Sequence, residues 1–273
     1  MLKSLRGWKL YAALIVASLA LIFLARFLYA MFTTESTDDA FITAHVHVIS
    51  ARVPGTVLEI DVDDNQVVKK GQILLKLDPR DYLVQLKIAQ ASYSKAHKDL
   101  GRLGGEHEFL PDEKPVLDAY TANAMTSEAR LQDAVLKFGY TTVVAPTDGK
   151  IGSRTVEIGN QILAGQALMA LVEPNSWIIA NFKEGQVNQI RVGQKVKIDV
   201  DSIDEKSFEG RVDSISPASG ATFSLLPPDN ATGNFTKIVQ RIAVKINFNA
   251  DSIKGFEGRL NSGMSTEVTI YTK

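Results

Sequence analysis

Residues 53–78, VPGTVLEIDVDDNQVVKKGQILLKLD, return in altered form at 146–172 as PTDGKIGSRTVEIGNQILAGQALMALV. A shift of 94 positions lays Gly55 on Gly149, Val57 on Ile151, Val62 on Val156 and Gly71 on Gly165. The same shift lays Gln72 on Gln166, Leu74 on Leu168 and Leu77 on Leu171. Seven pairs at one offset, with no gap, mark an internal repeat. Each copy opens on a turn, at Pro54-Gly55 or Asp148-Gly149. Alternating apolar residues follow, and a second glycine comes 16 positions after the first. Gly71 and Gly165 are expected at positive φ, where a residue with a Cβ is strained. Neither half is large enough to cover its own apolar face, so the two are expected to close into one flattened β-barrel or sandwich.

That arrangement resembles the biotinyl/lipoyl fold. A carrier of that fold presents a modifiable Lys on a tight hairpin between its halves. Here the connection runs from Asp78 to Ala145 and is mostly helical, so neither Lys69 nor Lys70 stands on such a tip. No cofactor is expected.

Within the connection, Asp78-Pro79 suits a helix start, since Asp can cap and Pro fits the first turn. Apolar positions then recur at Tyr82, Leu86, Ala89, Tyr93, Ala96, Leu100 and Leu103, in steps of four and three. Gly104-Gly105, Pro111 and Pro115 break the pattern. It resumes at Leu117, Tyr120, Ala124, Ser127, Leu131, Ala134 and Phe138. Two heptad seams of equal length, running in opposite senses, predict an antiparallel coiled-coil hairpin about 33 Å long.

The N-terminal stretch Leu10–Ala25, LYAALIVASLALIFLA, carries no charge, and Phe27–Phe32 is apolar again. Trp8–Met31 would make about 36 Å of helix, enough to span a bilayer. Lys3, Arg6 and Lys9 precede it while Glu35, Asp38 and Asp39 follow, which orients the first residues to the cytoplasm and exports everything after about Thr33, to the periplasm if the source is a bacterium. The apolar run continues well past Ser18-Leu19-Ala20, which favours a retained anchor over a cleaved signal.

From Glu173 onward, short alternating runs predict a small antiparallel β-barrel: Trp177–Phe182, Gly193–Val200, Phe208–Ile215, Gln240–Phe248 and Thr266–Tyr271. Ser216–Lys237 is a long Pro-, Gly- and Asn-rich loop, and Phe223, Leu225, Leu226 and Phe235 within it are candidates for partner binding or for capping the barrel's own core. Leu100, Arg102 and Leu103 near the hairpin tip are further partner-binding candidates. The fold class is therefore mainly β with a helical hairpin. Its parts are a stub and transmembrane anchor (1–32), a linker and first strand (33–50), a split lipoyl-like domain (51–78 with 140–173), the hairpin (79–139) and a barrel with membrane-proximal elements (174–273).

A net charge of −1 in 273 residues gives no support to nucleic-acid binding. Cysteine is absent, which removes disulfides, thiolate metal sites and Cys nucleophiles. No G-x-S-x-G, P-loop, dinucleotide fingerprint or H-E-x-x-H is present. His45 and His47 share one strand face without an identifiable third metal ligand, so no metal site is assigned. No enzyme is expected.

This order of parts resembles the HlyD-like membrane fusion proteins, the periplasmic adaptors of export pumps. The residues carrying the resemblance are Thr37-Asp-Asp-Ala-Phe, Val143-Val-Ala-Pro-Thr-Asp-Gly, and Trp177 with Ala180-Asn-Phe-Lys-Glu. Ser224-Leu-Leu-Pro, Asn230-Ala-Thr-Gly-Asn-Phe and Val239-Gln-Arg-Ile-Ala-Val-Lys-Ile are similar to the EmrA-type branch. The resemblance implies an inner-membrane transporter of major-facilitator type as partner, a TolC-like outer-membrane channel and a homo-oligomer. Members of that branch carry a much longer hairpin; here each seam holds about three heptads, and the tip reads Gly101-Arg-Leu-Gly-Gly. An ABC-type secretion adaptor and a non-transport envelope scaffold are the alternatives.

Overall fold

The repeat organises half of the computed structural model, which describes residues 14–23, 33–104, 114–220, 222 and 239–272. The chain divides into two units, His45–Pro174 and Met1–Ala44 with Asn175–Lys273. Strands β1 (Thr34–Ser50) and β8 (Ala167–Lys183) each run along the chain from one unit into the other.

In the first unit the two copies of the repeat complete each other. Copy one supplies β2 (Gly55–Ile60), β3 (Val67–Val68) and β4 (Ile73–Leu77); copy two supplies β6 (Gly149–Arg154), β7 (Gln161–Ile162) and the start of β8. β2 pairs with β7 through Gly55↔Ile162, and β3 pairs with β6 through Val68↔Gly149. These are the same pairing read with the copies exchanged, since 55 + 94 = 149 and 68 + 94 = 162. The loop bonds obey the same exchange: Val57 N donates to Asn160 O at 2.9 Å and Ile151 N to Gln66 O at 2.9 Å. Gly71 N donates to Ala145 O at 2.8 Å, and Gly165 N to Ala51 O at 2.7 Å. Each half therefore satisfies backbone groups that the other leaves open. One buried set serves the body: Val57, Val62, Val68, Leu74 and Leu77 with their equivalents Ile151, Val156, Ile162, Leu168 and Leu171.

Turn chemistry repeats too. Gly71 and Gly165 have φ of 81° and 84°, and Gln72 and Gln166 accept the backbone N–H three residues earlier at 3.1 and 3.0 Å. Asn65 and Gly159, also 94 apart, both take positive φ, at 64° and 89°. Asn tolerates that region better than other residues with a Cβ.

Between β4 and β5 (Thr142–Val144) stand α1 (Arg80–Gly104) and α2 (Lys114–Gly139). Their protected residues fall on the heptad seams. Ala96, Ala124, Ser127 and Ala134 are buried, and Tyr82, Leu86, Ala89, Tyr93, Leu100, Leu117, Leu131 and Phe138 are half-buried. Tyr120 alone among the described seam side chains stays 37% exposed. Small residues at the tightest layers let the helices approach closely, while Tyr and Leu fill the wider ones.

The second unit holds six strands in the order β1, β12 (Ser265–Tyr271), β9 (Lys195–Val200), β10 (Phe208–Ser219), β11 (Arg241–Phe248), β8, and β1 also pairs with β8. That pairing closes a ring and removes the open edges. Strict alternation builds its core: Val196, Ile198 and Val200 face in while Lys195, Lys197 and Asp199 face out or sit at the rim. Ile42, Ile178, Phe182, Phe208, Val244, Ile246, Val268 and Ile270 complete the interior. Short helices α3 (Glu184–Val187) and α4 (Ala250–Ile253) and a 3-10 turn at Glu257–Arg259 connect strands.

Residues 14–23 are helical and exposed throughout. No helix among the described residues is long and apolar enough to cross a membrane, and the remainder of the Trp8–Met31 stretch lies outside them.

Candidate partner-binding surfaces

The hairpin is fixed at its root by bonds to the body it interrupts. Asp78 Oδ1 accepts Arg80 N at 3.1 Å at the start of α1, while the Arg80 guanidinium donates to both carboxylate oxygens. Those bonds hold the Asp78 carboxyl below its ordinary value of 3.8. Tyr82 Oη donates to Pro54 O at 2.6 Å, and the Arg52 guanidinium lies over the Tyr140 ring at 4.9 Å. Leu77 N donates to Thr141 O at 2.7 Å, and Thr141 is buried. Both strands of the root are thereby tied to copy one of the repeat, so the direction of the helix pair relative to that body is set.

Outside the seam, both helices expose a second apolar face. Val84 and Ile88 on α1 are 56% and 62% exposed; Met125 and Leu136 on α2 are 66% and 53% exposed. Antiparallel pairing of the seams puts Val84 at the level of Leu136 and Ile88 near Gln132. Toward the tip this face of α1 turns basic, with Lys95, Lys98 and Arg102 around a shallow concavity. The sequence reading missed the outer positions because it followed the core seam alone; the signal was legible as apolar residues at the heptad positions opposite the core. Of the tip candidates, Leu100 is half-buried on the seam and Arg102 is exposed. Leu103 lies in the last turn of α1, with its side chain outside the described residues.

In the second unit, three motifs that sequence reading singled out converge. Thr37 Oγ1 donates to Asn181 O at 2.9 Å, Asn181 Nδ2 to Asp39 Oδ1 at 3.2 Å, and Arg241 Nη1 to Asp39 Oδ2 at 2.6 Å. The two aspartates of Thr37-Asp-Asp-Ala form a β-bulge: β1 pairs Thr37 with Val268 and Ala40 with Thr266, so two residues oppose one. The extra residue shifts the inward parity from Thr37 to Ala40, Ile42 and Ala44, all buried. It also aims Asp39 at β8 and β11. These residues join β1, β8 and β11.

At the same end of this unit, Gln186 of α3 donates to Glu35 Oε2 at 2.8 Å and to Ser36 O at 3.2 Å. Beside α3 lies an open groove of about 1040 Å³ lined by Val187, Ile190, Val192, Ile215, Val239 and Ile242. The loop expected from Ser216 starts later, because β10 runs on through Ser219, which pairs with Ile242, and the chain leaves and re-enters at this end of the unit. Phe223, Leu225, Leu226 and Phe235 fall outside the described residues, as do the Ser224-Leu-Leu-Pro and Asn230-Ala-Thr-Gly-Asn-Phe motifs.

His47 Nε2 sits 2.8 Å from Glu173 Oε1. Among the described residues no group of three His, Cys, Asp or Glu side chains could hold a metal ion.

A β-body assembled from two separated half-motifs, interrupted by a rooted helical hairpin and followed by a six-stranded ring, is the architecture of periplasmic adaptors. Comparison with known proteins agrees. Residues 45–173 match the family model described as RND MFP, barrel-sandwich hybrid domain, and residues 175–222 match the CusB-like β-barrel domain. The chain is 33% identical over 310 aligned positions to the colistin resistance protein EmrA of Acinetobacter baumannii, covering 88% of this chain and 87% of that one. It is 30% identical to the probable multidrug resistance protein EmrK of Escherichia coli, covering 96% and 84%. Two solved structures share the fold. A MacA-MexA chimera carrying the Pseudomonas aeruginosa MexA α-hairpin matches at TM-score 0.71 and 21% identity, over 88% of this chain and 82% of that one. The periplasmic adaptor protein EmrA matches at 0.52 and 20%, over 88% and 98%. The chain belongs to the membrane fusion protein family, in its EmrA-type branch.

Proposed function

We propose that this protein is the adaptor subunit of a multidrug or small-molecule efflux pump, coupling an inner-membrane transporter to an outer-membrane channel. The observation that carries this reading is the rooted hairpin inside a two-copy β-body, on a chain whose relatives are export and drug-resistance proteins. The protein's work is mechanical and non-catalytic. The Trp8–Met31 stretch anchors it once in the inner membrane, with the bulk in the periplasm, and the transporter is of major-facilitator type. The anchor-side end of the six-stranded unit and the Ser216–Lys237 loop, through Phe223, Leu225, Leu226 and Phe235, hold that transporter. The tip around Leu100, Arg102 and Leu103 faces the channel.

The chain acts as a homo-oligomer. Val84, Ile88, Met125 and Leu136 support this, because apolar residues on the outer faces of a helix pair gain about 0.8 kcal/mol per CH₂ when a neighbour covers them. The alignment with the Acinetobacter relative spans 310 positions against 273 residues here, so that relative carries insertions this chain lacks. A short hairpin fits that difference and implies a channel that reaches further inward, or an additional copy layer. Purification of the tagged protein from detergent-solubilised membranes tests the reading. It is expected to bring down an inner-membrane transporter, and recovery without any transporter contradicts it.

A further inference from the structure

The end of the six-stranded unit nearest the anchor carries exposed aliphatic side chains beside the surface proposed to hold the transporter. Val192 is 66% exposed and Val239 is 59% exposed, both on the lip of the α3 groove, and Tyr271, placed at the same end by its pairing with Thr34, is 43% exposed on the outer wall. The chain itself fixes how far this end stands from the anchor. Phe32 closes the apolar stretch, Thr33 is buried in the unit, and β1 begins at Thr34. Thr33 O accepts Thr272 N at 2.8 Å, Thr34 pairs with Tyr271, and Gln194 Nε2 donates to Thr272 O at 3.1 Å. Gln186 then ties α3 to Glu35 and Ser36. From Phe32 to Thr34 is two residues, at most about 7 Å of extended chain. The headgroup layer on one side of a bilayer is itself roughly 5–7 Å deep. A tether no longer than that layer leaves no aqueous gap.

We infer that this face is a bilayer seat: the α3 groove, with Val192 and Val239 on its lip and Tyr271 at the same end of the unit, rests in the phospholipid headgroup layer. The inference rests on the anchor assigned above. Removing aliphatic side chains from water is favourable, so the two valines bias the unit's tilt toward the bilayer. Tyr is suited to the interface, where its ring is apolar and its hydroxyl stays wet. The charged rim is mixed, with Lys183 and Arg191 against Glu184 and Glu35. Apolar contact rather than lipid charge therefore drives the seating, and the two cations can snorkel to phosphates.

The natural chain has no cysteine, so single labels are clean. Full-length Val192→Cys and Val239→Cys, each carrying an environment-sensitive fluorophore, would be reconstituted into phosphatidylcholine–phosphatidylglycerol vesicles containing lipids with a headgroup nitroxide. Asp204→Cys, exposed at the opposite end of the unit, is the reference, and Leu19→Cys with an acyl-chain nitroxide reports on the anchor. The inference predicts at least twofold stronger quenching at 192 and 239 than at 204. Equal quenching at all three, with the label at 19 quenched, overturns the seat, leaves the anchor standing and assigns the face to a protein partner. An unquenched label at 19 overturns both.

Discussion

Gly149 shows what one atom costs in the β-body. A Cβ built there would lie 2.6 Å from Val172 O and 2.9 Å from Leu171 Cδ1, and the first of these is backbone that cannot step aside. Gly149→Ala is expected to destabilise the protein by about 1–3 kcal/mol in denaturant titrations, as overpacking does elsewhere. Gly101, inside α1 with nothing within 4 Å, is the opposite case. Gly101→Ala should stabilise the hairpin by about 0.5–1 kcal/mol through helix propensity, read as slower hydrogen exchange in α1. Buried Thr266 presents a third case: no protein group bonds its Oγ1. Thr266→Val should raise the unfolding midpoint, by an amount equivalent to about 1 kcal/mol, because it removes an unpaired hydroxyl from the interior. Sequence legibility at this scale tracked the repeat. The positive φ of Gly71 and Gly165 followed from their turn positions. That of Asn65 did not, because its partner Gly159 aligns an asparagine with a glycine. The Thr37–Asp39–Asn181–Arg241 convergence was legible only as three separate motifs, since nothing local says that β1, β8 and β11 are neighbours.

The helix pair and the strands differ in how much of their partnership is written locally. Both heptad seams were readable from spacing alone, and the protected residues lie on them. Ala124→Leu inserts a large side chain into a buried alanine layer. It should cost about 1–3 kcal/mol and raise hydrogen exchange across 82–102 and 114–138 while leaving the strands unchanged. The root carries a pH signature. Asp78 titrates below its ordinary value because it is bonded to Arg80, so its contribution is present above about pH 4 and is lost as pH falls through the lowered value. Asp78→Asn should therefore show a smaller fall in the hairpin's thermal midpoint than the natural chain as pH drops from neutral to below 4, monitored by circular dichroism. Strand β1 was the element least legible in advance. Its bulge moves the buried positions from Thr37 to Ala40, Ile42 and Ala44, so no single alternation covers it, and a linker and first strand were expected over 33–50. β8 likewise continues through Pro174, a residue that ordinarily marks a strand's end.

For the whole molecule, the decisive relation is between a β-body that closes only when both copies are present and a hairpin inserted where the copies join. The body's internal exchange of bonds requires no helix. The hairpin is therefore free to serve as the part that meets partners, and its exposed Val84, Ile88, Met125 and Leu136 are consistent with that use. The most direct test is to replace residues 82–138 with a two-residue turn and express the shortened chain in a strain lacking the natural one. Proper folding of the shortened chain is checked by hydrogen-exchange protection over 55–77 and 142–171. The prediction is a protected β-body and a complete loss of compound export, measured as intracellular accumulation of a hydrophobic fluorescent substrate. A shortened chain that restores export to the level of the natural one would contradict the claim that the hairpin is the coupling element.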